Sequence, residues 1–286
     1  MEWVQISKEN GVLAVSNIEY YYYSNFIIDV TSSMFEYVFE HFNSTFYGYV
    51  NADILLDNTL IRTLQSVEAD QTLGDRLYVV GQRTNVQQSL TDIYHKGGTE
   101  SPSEFVIRML LKGHRYWDSA VDFHIVTKST WNWSEMPKFV IGRSGYDLFL
   151  VQAAYLDSSI HMIDVTNSVH CAHMLSSDGN RSGIKRKTPD NNWNTKILQS
   201  LPGGCCEYKS FGKLANYHSV QLGSSICIAN HGFEGYYDDS YYDTEKEFIR
   251  KAMDGSIAIS EKDVLGLLLP GHTIVEGHII VSWAAG

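Results

Sequence analysis

Basic residues, cysteine and proline are all scarce in this chain of 286 residues. Lys and Arg number 22 against 33 Asp and Glu, a net charge of −11. Nucleic acid is held mainly through its phosphates, which need a basic face, so no nucleic-acid partner is expected. The acidity suits a site that takes up a cation, or one that takes a neutral ligand, without choosing between them. Cys171, Cys205, Cys206 and Cys227 show no C-x-x-C spacing, which argues against a zinc ribbon or a disulfide scaffold and for free thiols. There is no apolar run of about 18 residues, so no transmembrane segment is expected. Met1-Glu2-Trp3 does not open a secretory leader, which makes the cytoplasm the default compartment and leaves the N-x-S/T triplets at Asn43, Asn132 and Asn180 unmodified. Neither G-x-G-x-x-G nor G-x-x-x-x-G-K-S/T occurs, and Gly203-Gly204 does not replace them; Rossmann dehydrogenases and P-loop enzymes are disfavoured.

Apolar side chains are plentiful: 44% hydrophobic against 19% charged is the balance of a chain that folds around a core. Their spacing alternates between strand and helix periods. Ser33-x-x-Glu36 reads as a capping box ahead of a helical stripe of Met34, Phe35, Val38, Phe39 and Phe42. Strands are expected at 45–50, 77–80, 121–126, 139–141 and 160–165, and helices at 60–67, 105–111 and 146–154. This order predicts an α/β domain with a mixed, largely parallel sheet flanked by helices, over residues 1–178. Residues 179–286 read as an extension packed on it, entered through a polar, basic connection at 178–194. It carries a helix near 244–253 and a strand at 274–283.

Polar clusters follow the strand-like runs, where active groups of α/β sheets sit. In Asn51-Ala52-Asp53, Asp53 is placed to hold a hard divalent cation, or simply to cap the next turn. In Gly81-Gln82-Arg83-Thr84-Asn85, Arg83 suits bidentate pairing with a phosphate or carboxylate, or a surface salt bridge. Asp122 opens a strand that carries a lone His124. In Gly142-Arg143-Ser144-Gly145-Tyr146-Asp147, Asp147 falls in a first helical turn as a general base or a dipole-favoured cap. His170 and His173 would share one face if their segment were helical, a spacing compatible with metal ligation. Trp131 and Trp133 suit sugar stacking if exposed, or the core.

The ordered series Tyr47-Gly48-Tyr49-Val50-Asn51-Ala52-Asp53-Ile54, Val80-Gly81-Gln82-Arg83-Thr84-Asn85, Asp122-Phe123-His124, Ile141-Gly142-Arg143-Ser144-Gly145-Tyr146-Asp147 and Ile163-Asp164-Val165-Thr166 with His173 resembles a family of GT-A-type, nucleotide-sugar-dependent glycosyltransferase-like proteins. The resemblance covers roughly residues 10–178. It implies a GT-A-like fold that lacks its usual opening strand and helix. It also implies Mn²⁺ or Mg²⁺ held by Asp53 and His173, with Asn51 in support. Asn51, Arg83 and Asp122 would lie on the substrate side. Asp147 would be the base and Arg143 a contact to substrate or to Asp147. The reaction implied moves a sugar from a nucleoside-diphosphate sugar to a carbohydrate or other hydroxyl acceptor. The chain departs from the family in having Asn51 in place of a second carboxylate and Ser176 in place of a further histidine. A catalytically degenerate carbohydrate- or nucleotide-sugar-binding module is the alternative. A metal-dependent phosphodiester or pyrophosphate hydrolase is disfavoured by the lack of clustered carboxylates.

Overall fold

The computed structural model describes residues 20–23, 26–29, 31–51, 53–87, 99–116, 120–175, 192–201, 214–222, 225–230, 272–275 and 278–281. In chain order the elements begin with β1 (Tyr20–Tyr23), β2 (Phe26–Asp29), α1 (Thr31–His41), β3 (Tyr47–Val50), β4 (Ile54–Leu56), α2 (Thr59–Ala69) and β5 (Leu77–Val80). Next come β6 (Thr84–Gln87), α3 (Pro102–Lys112), β7 (His114–Arg115), β8 (Phe123–Val126), α4 (Tyr146–Leu156), β9 (His161–Asp164) and β10 (Cys171–Leu175). The last are α5 (Trp193–Ser200), β11 (Tyr217–Leu222), β12 (Ser225–Asn230), β13 (His272–Val275) and β14 (His278–Val281).

A six-stranded sheet runs β12-β11-β9-β5-β8-β3 and a four-stranded sheet runs β4-β10-β6-β7. β1–β2 and β13–β14 are antiparallel hairpins. Among the described residues the architecture is α/β with mixed sheets. It is less parallel than its alternating pattern implies. In the large sheet, β9 pairs in parallel with β5 and β11, but β8 is antiparallel to both β3 and β5, and β12 is antiparallel to β11. Periodicity reports which face a side chain takes, not which way its strand runs.

The large sheet is covered on both faces, which is why Leu77-Tyr78-Val79-Val80 reads as an unbroken apolar run. Tyr78 and Val80 face a core shared with Phe35 and Phe39 of α1 and Leu150 and Val151 of α4. Leu77 and Val79 face the opposite core, with Val67 of α2 and Phe123, Ile125 and Ile163. Burying each such side chain contributes about 1.5–3 kcal/mol. A third cluster, Val86, Phe105, Val106, Met109 and Ala172, seats α3 on the small sheet.

Several local expectations are corrected. α1 starts at Thr31, so Ser33 lies inside the helix; the Thr31 backbone N–H and hydroxyl both donate to the Phe139 carbonyl, at 3.0 and 3.3 Å. The capping box occurs instead at α3, where Ser101 and Glu104 satisfy each other's backbone N–H behind Pro102. Residues 139–141 do not form a strand beyond a single bridge at Val140. The Asn194 side chain takes the place of a neighbouring strand there, accepting from Val140 N at 2.8 Å and donating to Val140 O at 2.9 Å. His170 and His173 are not on a helix, since Cys171–Leu175 is a strand. The described residues of the expected strand at 274–283 divide between the antiparallel strands β13 and β14.

Of the part read as an extension, β11 and β12 continue the large sheet beside β9. α5 is tied down through Asn194 and through Trp193, whose indole N–H donates to the Lys138 carbonyl at 2.8 Å. The polar connection up to 191, the Gly203-Gly204 pair, the expected helix near 244–253 and Ser176 lie outside the described residues.

Gly145 sets where α4 begins. Its φ is +102°, and a Cβ there would lie 2.5 Å from Leu198 Cδ1. Gly145→Ala is expected to cost about 1–2 kcal/mol from the left-handed backbone alone. A circular-dichroism melt should show its midpoint roughly 2–6 °C lower. An unchanged midpoint would mean that this turn is not fixed by its glycine.

Candidate functional site

Three connections leave the carboxyl ends of the large sheet and enter the small one: β3 to β4, β5 to β6 and β9 to β10. The connection from β7 to β8 returns. Along this seam the strand ladders stop, and side chains take over the pairing of backbone groups. The Thr166 hydroxyl accepts from Gln82 N at 2.9 Å, and Asp164 accepts from Thr166 N at 2.9 Å. Most of the polar residues singled out in the sequence lie on this seam, at the strand ends where α/β sheets gather their chemistry.

Asp53 and His173 meet there. His173 is buried in β10, opposite Ile54 on one side and Asn85 on the other. Its Nε2 lies 3.1 Å from Asp53 Oδ2, and its Nδ1 lies 2.9 Å from Asn85 Oδ1. The hydrogen bond with His173 holds the Asp53 carboxyl below its ordinary value; partial burial opposes this, and the charges of His173 and Arg83 assist it. If Nδ1–H donates to the Asn85 oxygen, the Nε2 lone pair of a neutral imidazole faces a carboxylate. A positive charge, a proton or a metal ion, then has to lie between them. Turning the Asn85 amide over would allow a neutral His173 to donate to Asp53 instead. Among the described residues no third His, Cys, Asp or Glu joins this pair.

Beside it, Arg83 and Asp122 form a buried ion pair through Nη1 and Oδ1, not the surface salt bridge that Arg83 could equally have made. Asp122 Oδ1 also accepts from Asn51 Nδ2 at 2.8 Å, and Asn51 Oδ1 accepts from the Tyr49 hydroxyl at 2.5 Å. Asn51 thus supports Asp122, not Asp53 as the resemblance implied. The Arg83 guanidinium also lies 4.6 Å from the ring centre of Tyr116. Arg83 Nε, Asp122 Oδ2, Asn85 Nδ2 and Gln82 Oε1 are buried with no hydrogen-bond partner among the described residues.

Asp147 stands in the first turn of α4. Burial pushes its carboxyl up to about 6; the Leu148 N–H, donating at 2.9 Å, opposes the shift, and the charge of Asp122 adds to it. Arg143 sits one turn earlier, its Nη1 donating to the Gly142 carbonyl at 3.0 Å. His124 is a core residue. Its Nδ1 meets the Tyr78 hydroxyl at 2.7 Å, and burial pushes its pKa down to about 3. Trp133 is buried and stacked on Phe35, and Trp131 packs edge-on against it, so neither is an exposed sugar platform.

Sequence reasoning did not assign Asn85 to His173, Tyr49 to Asn51, or Asp57 to His170. The last pair lies 2.9 Å apart, and Asp57 also accepts from Thr59 N at 2.9 Å. Burial opposes ionisation of Asp57, but bonds from His170 and Thr59 hold its carboxyl below the ordinary value. Asp57-x-Thr59 is a turn signal that could have marked this carboxylate. Nothing in the sequence points from Asn85 to a histidine 88 positions away.

No protein-family model, curated protein or solved structure matches the chain.

Asp147 yields a pH-dependent prediction. Its native pKa, about 6, exceeds the ordinary 3.8, so the folded state binds this proton more tightly than the unfolded chain. Stability is therefore lost as pH rises from near 4 through 6, by at most about 3 kcal/mol. Asp147→Asn removes that loss. At pH 7 it should melt several degrees above the wild type, with the gap closing below pH 4. A pH-independent gap would overturn this account of Asp147.

Proposed function

We propose that this chain is a metal-dependent glycosyltransferase of the GT-A type. In this reading it moves a sugar from a nucleoside-diphosphate sugar to an acceptor hydroxyl. One observation carries the reading: Asp53 and His173, 120 positions apart in sequence, meet at the carboxyl edge of the sheet. A carboxylate oxygen and an imidazole nitrogen bound side by side on one divalent ion stand about 3 Å apart at right-angled bonds near 2.1 Å. The observed separation is 3.1 Å. Asn85 behind Nδ1 supplies the outer hydrogen bond that orients metal-bound histidines. These residues fit Mn²⁺ or Mg²⁺, which complete their coordination with water and substrate phosphates.

When bound, such an ion neutralises charge on the departing diphosphate. The chain's own residues do the rest. Asp147, with its carboxyl raised to about 6, takes the proton of the attacking hydroxyl. Asp122 accepts from a hydroxyl of the sugar through Oδ2, while its Oδ1 is paired with Arg83. Arg143 stands on the loop that leads into Asp147.

A second reading, a carbohydrate- or nucleotide-sugar-binding module without turnover, is favoured by the small donor set. Asp53 and His173 engage each other directly, with no third ligand among the described residues.

Calorimetry with Mn²⁺, then with a panel of UDP- and GDP-sugars, separates these readings. Mn²⁺ binding is expected in the wild type and should be lost in Asp53→Ala and His173→Ala. Asp147→Asn should keep donor binding and lose release of nucleoside diphosphate to hydroxyl acceptors. Donor binding without any turnover would support the module. Absence of Mn²⁺ binding would sink the metal assignment.

A further inference from the structure

The resemblance that implied a metal at Asp53 cast Asn51 as a weak stand-in for a missing second carboxylate. Its surroundings give it a different task. All four of its polar groups are engaged. Asn51 N donates to the Asp122 carbonyl at 2.9 Å, and the Asn51 carbonyl accepts from Ile54 N at 3.1 Å. Its Nδ2 donates to Asp122 Oδ1 at 2.8 Å, and its Oδ1 accepts from the Tyr49 hydroxyl. Main chain and side chain of Asn51 therefore grip the same residue, 71 positions away.

The orientation of this amide is dictated chemically. A carboxylate paired with a guanidinium only accepts, so Nδ2 has to face it, and Asp122 is already paired with the buried Arg83. With Oδ1 taken by both Arg83 and Asn51, the carboxylate cannot swing. Its other oxygen, Oδ2, is buried with no partner among the described residues, although Asp122 is only 6% exposed.

We propose that Asn51 is a positioning residue, required as an amide, that locks the Asp122 carboxylate so that Oδ2 is presented to a hydroxyl of the sugar. What Oδ2 is presented to rests on the glycosyltransferase reading; the lock itself does not. A carboxylate at position 51 would set a second negative oxygen against Asp122 Oδ1, where the amide now donates. Of the other ionisable groups nearby, Tyr146 and Cys171 are held protonated by burial, Asp147 adds negative charge when ionised, and Arg115 acts on Cys171 together with Asp122 and Arg83.

The test compares full-length wild type, Asn51→Ala, Asn51→Asp and the double variant Asn51→Asp/Asp122→Asn. In melts at pH 7, Asn51→Asp should fall below Asn51→Ala by about 5 °C, as a buried like-charge pair requires. The double variant, with one amide and one carboxylate again, should recover most of the loss. If Asn51→Asp melts at or above the wild type, the lock is refuted. Mn²⁺ calorimetry gives the opposing result for a metal ligand: Asn51→Asp would then bind Mn²⁺ about tenfold more tightly, as an added charged ligand does. Here its affinity should stay within about threefold of the wild type, the scatter expected of a change outside the coordination shell.

Donor-sugar binding separates positioning from mere folding. Asn51→Ala should weaken it about tenfold, the loss of one well-placed hydrogen bond to a charged group. The double variant should fold yet not regain donor binding, because its charge has moved from 122 to 51. Donor affinity unchanged in Asn51→Ala would overturn the positioning role. If the wild type binds no donor, the glycosyltransferase reading fails and the role given to Oδ2 fails with it, while the melts still decide the lock.

Discussion

The buried ion pair of Arg83 and Asp122 is the constraint on which the seam depends. Two charges removed from water tolerate no loose geometry, since breaking such a pair from one side costs about 3–5 kcal/mol. Each partner also holds the chain that carries it. The Arg83 carbonyl accepts from Tyr116 N at 3.0 Å, and the Asp122 carbonyl accepts from Asn51 N at 2.9 Å. One ion pair thus fixes the connection from β5 to β6, the return from β7 to β8 and the end of β3. It also sets the local electrostatics. Asp122 adds to the upward shift of Asp147, and Arg83 adds to the downward shift of Asp53. Two carboxylates on one seam are shifted in opposite directions, Asp147 up and Asp53 down. That is the condition for one to act as a base while the other stays ionised.

The fold class was legible because its signals are local. Leu77–Val80 is apolar throughout since both faces of its sheet are covered, and α2 and α3 follow helical spacing closely. Strand direction was not legible. The antiparallel course of β8 leaves no mark on Phe123–Val126, whose side chains alternate alike either way. Val140 lost its strand to Asn194, a side chain 54 positions distant that no pattern around 139–141 announces. His170 and His173 have helical spacing by coincidence. The β10 ladder with β4 and β6 decides their placement, and such pairing overrides i, i+3 spacing.

The candidate site divides in the same way. Asp53, Arg83, Asp122 and Asp147 were visible as polar residues at the ends of apolar runs. The meeting of Asp53 with His173 was foreshadowed only by motif order, and the partners that give these groups their properties were not visible at all. Asn51 looks like half of a metal motif until Asp122 and Tyr49 are seen to occupy its amide. A residue's type limits what it can do, and its partners, distant in sequence, select among the options.

Among the described residues the seam holds two carboxylate–imidazole pairs, and their differences separate structure from chemistry. Asp57 beside His170 has a side chain only 1% exposed, and it is further satisfied by Thr59. Opening that pair would strand a charge away from water, so it works as a clamp joining the start of α2 to the approach to β10. Asp53 beside His173 is arranged the other way round. The carboxylate is 52% exposed while the imidazole is 5% exposed, and the group behind the ring is the neutral Asn85. Half exposed, Asp53 can change partners at a smaller desolvation cost than Asp57, while His173 is held in place from behind. A ring fixed in orientation and a carboxylate free to exchange is the asymmetry a site needs to admit and release a cation. Of the two pairs, only Asp53 with His173 has it.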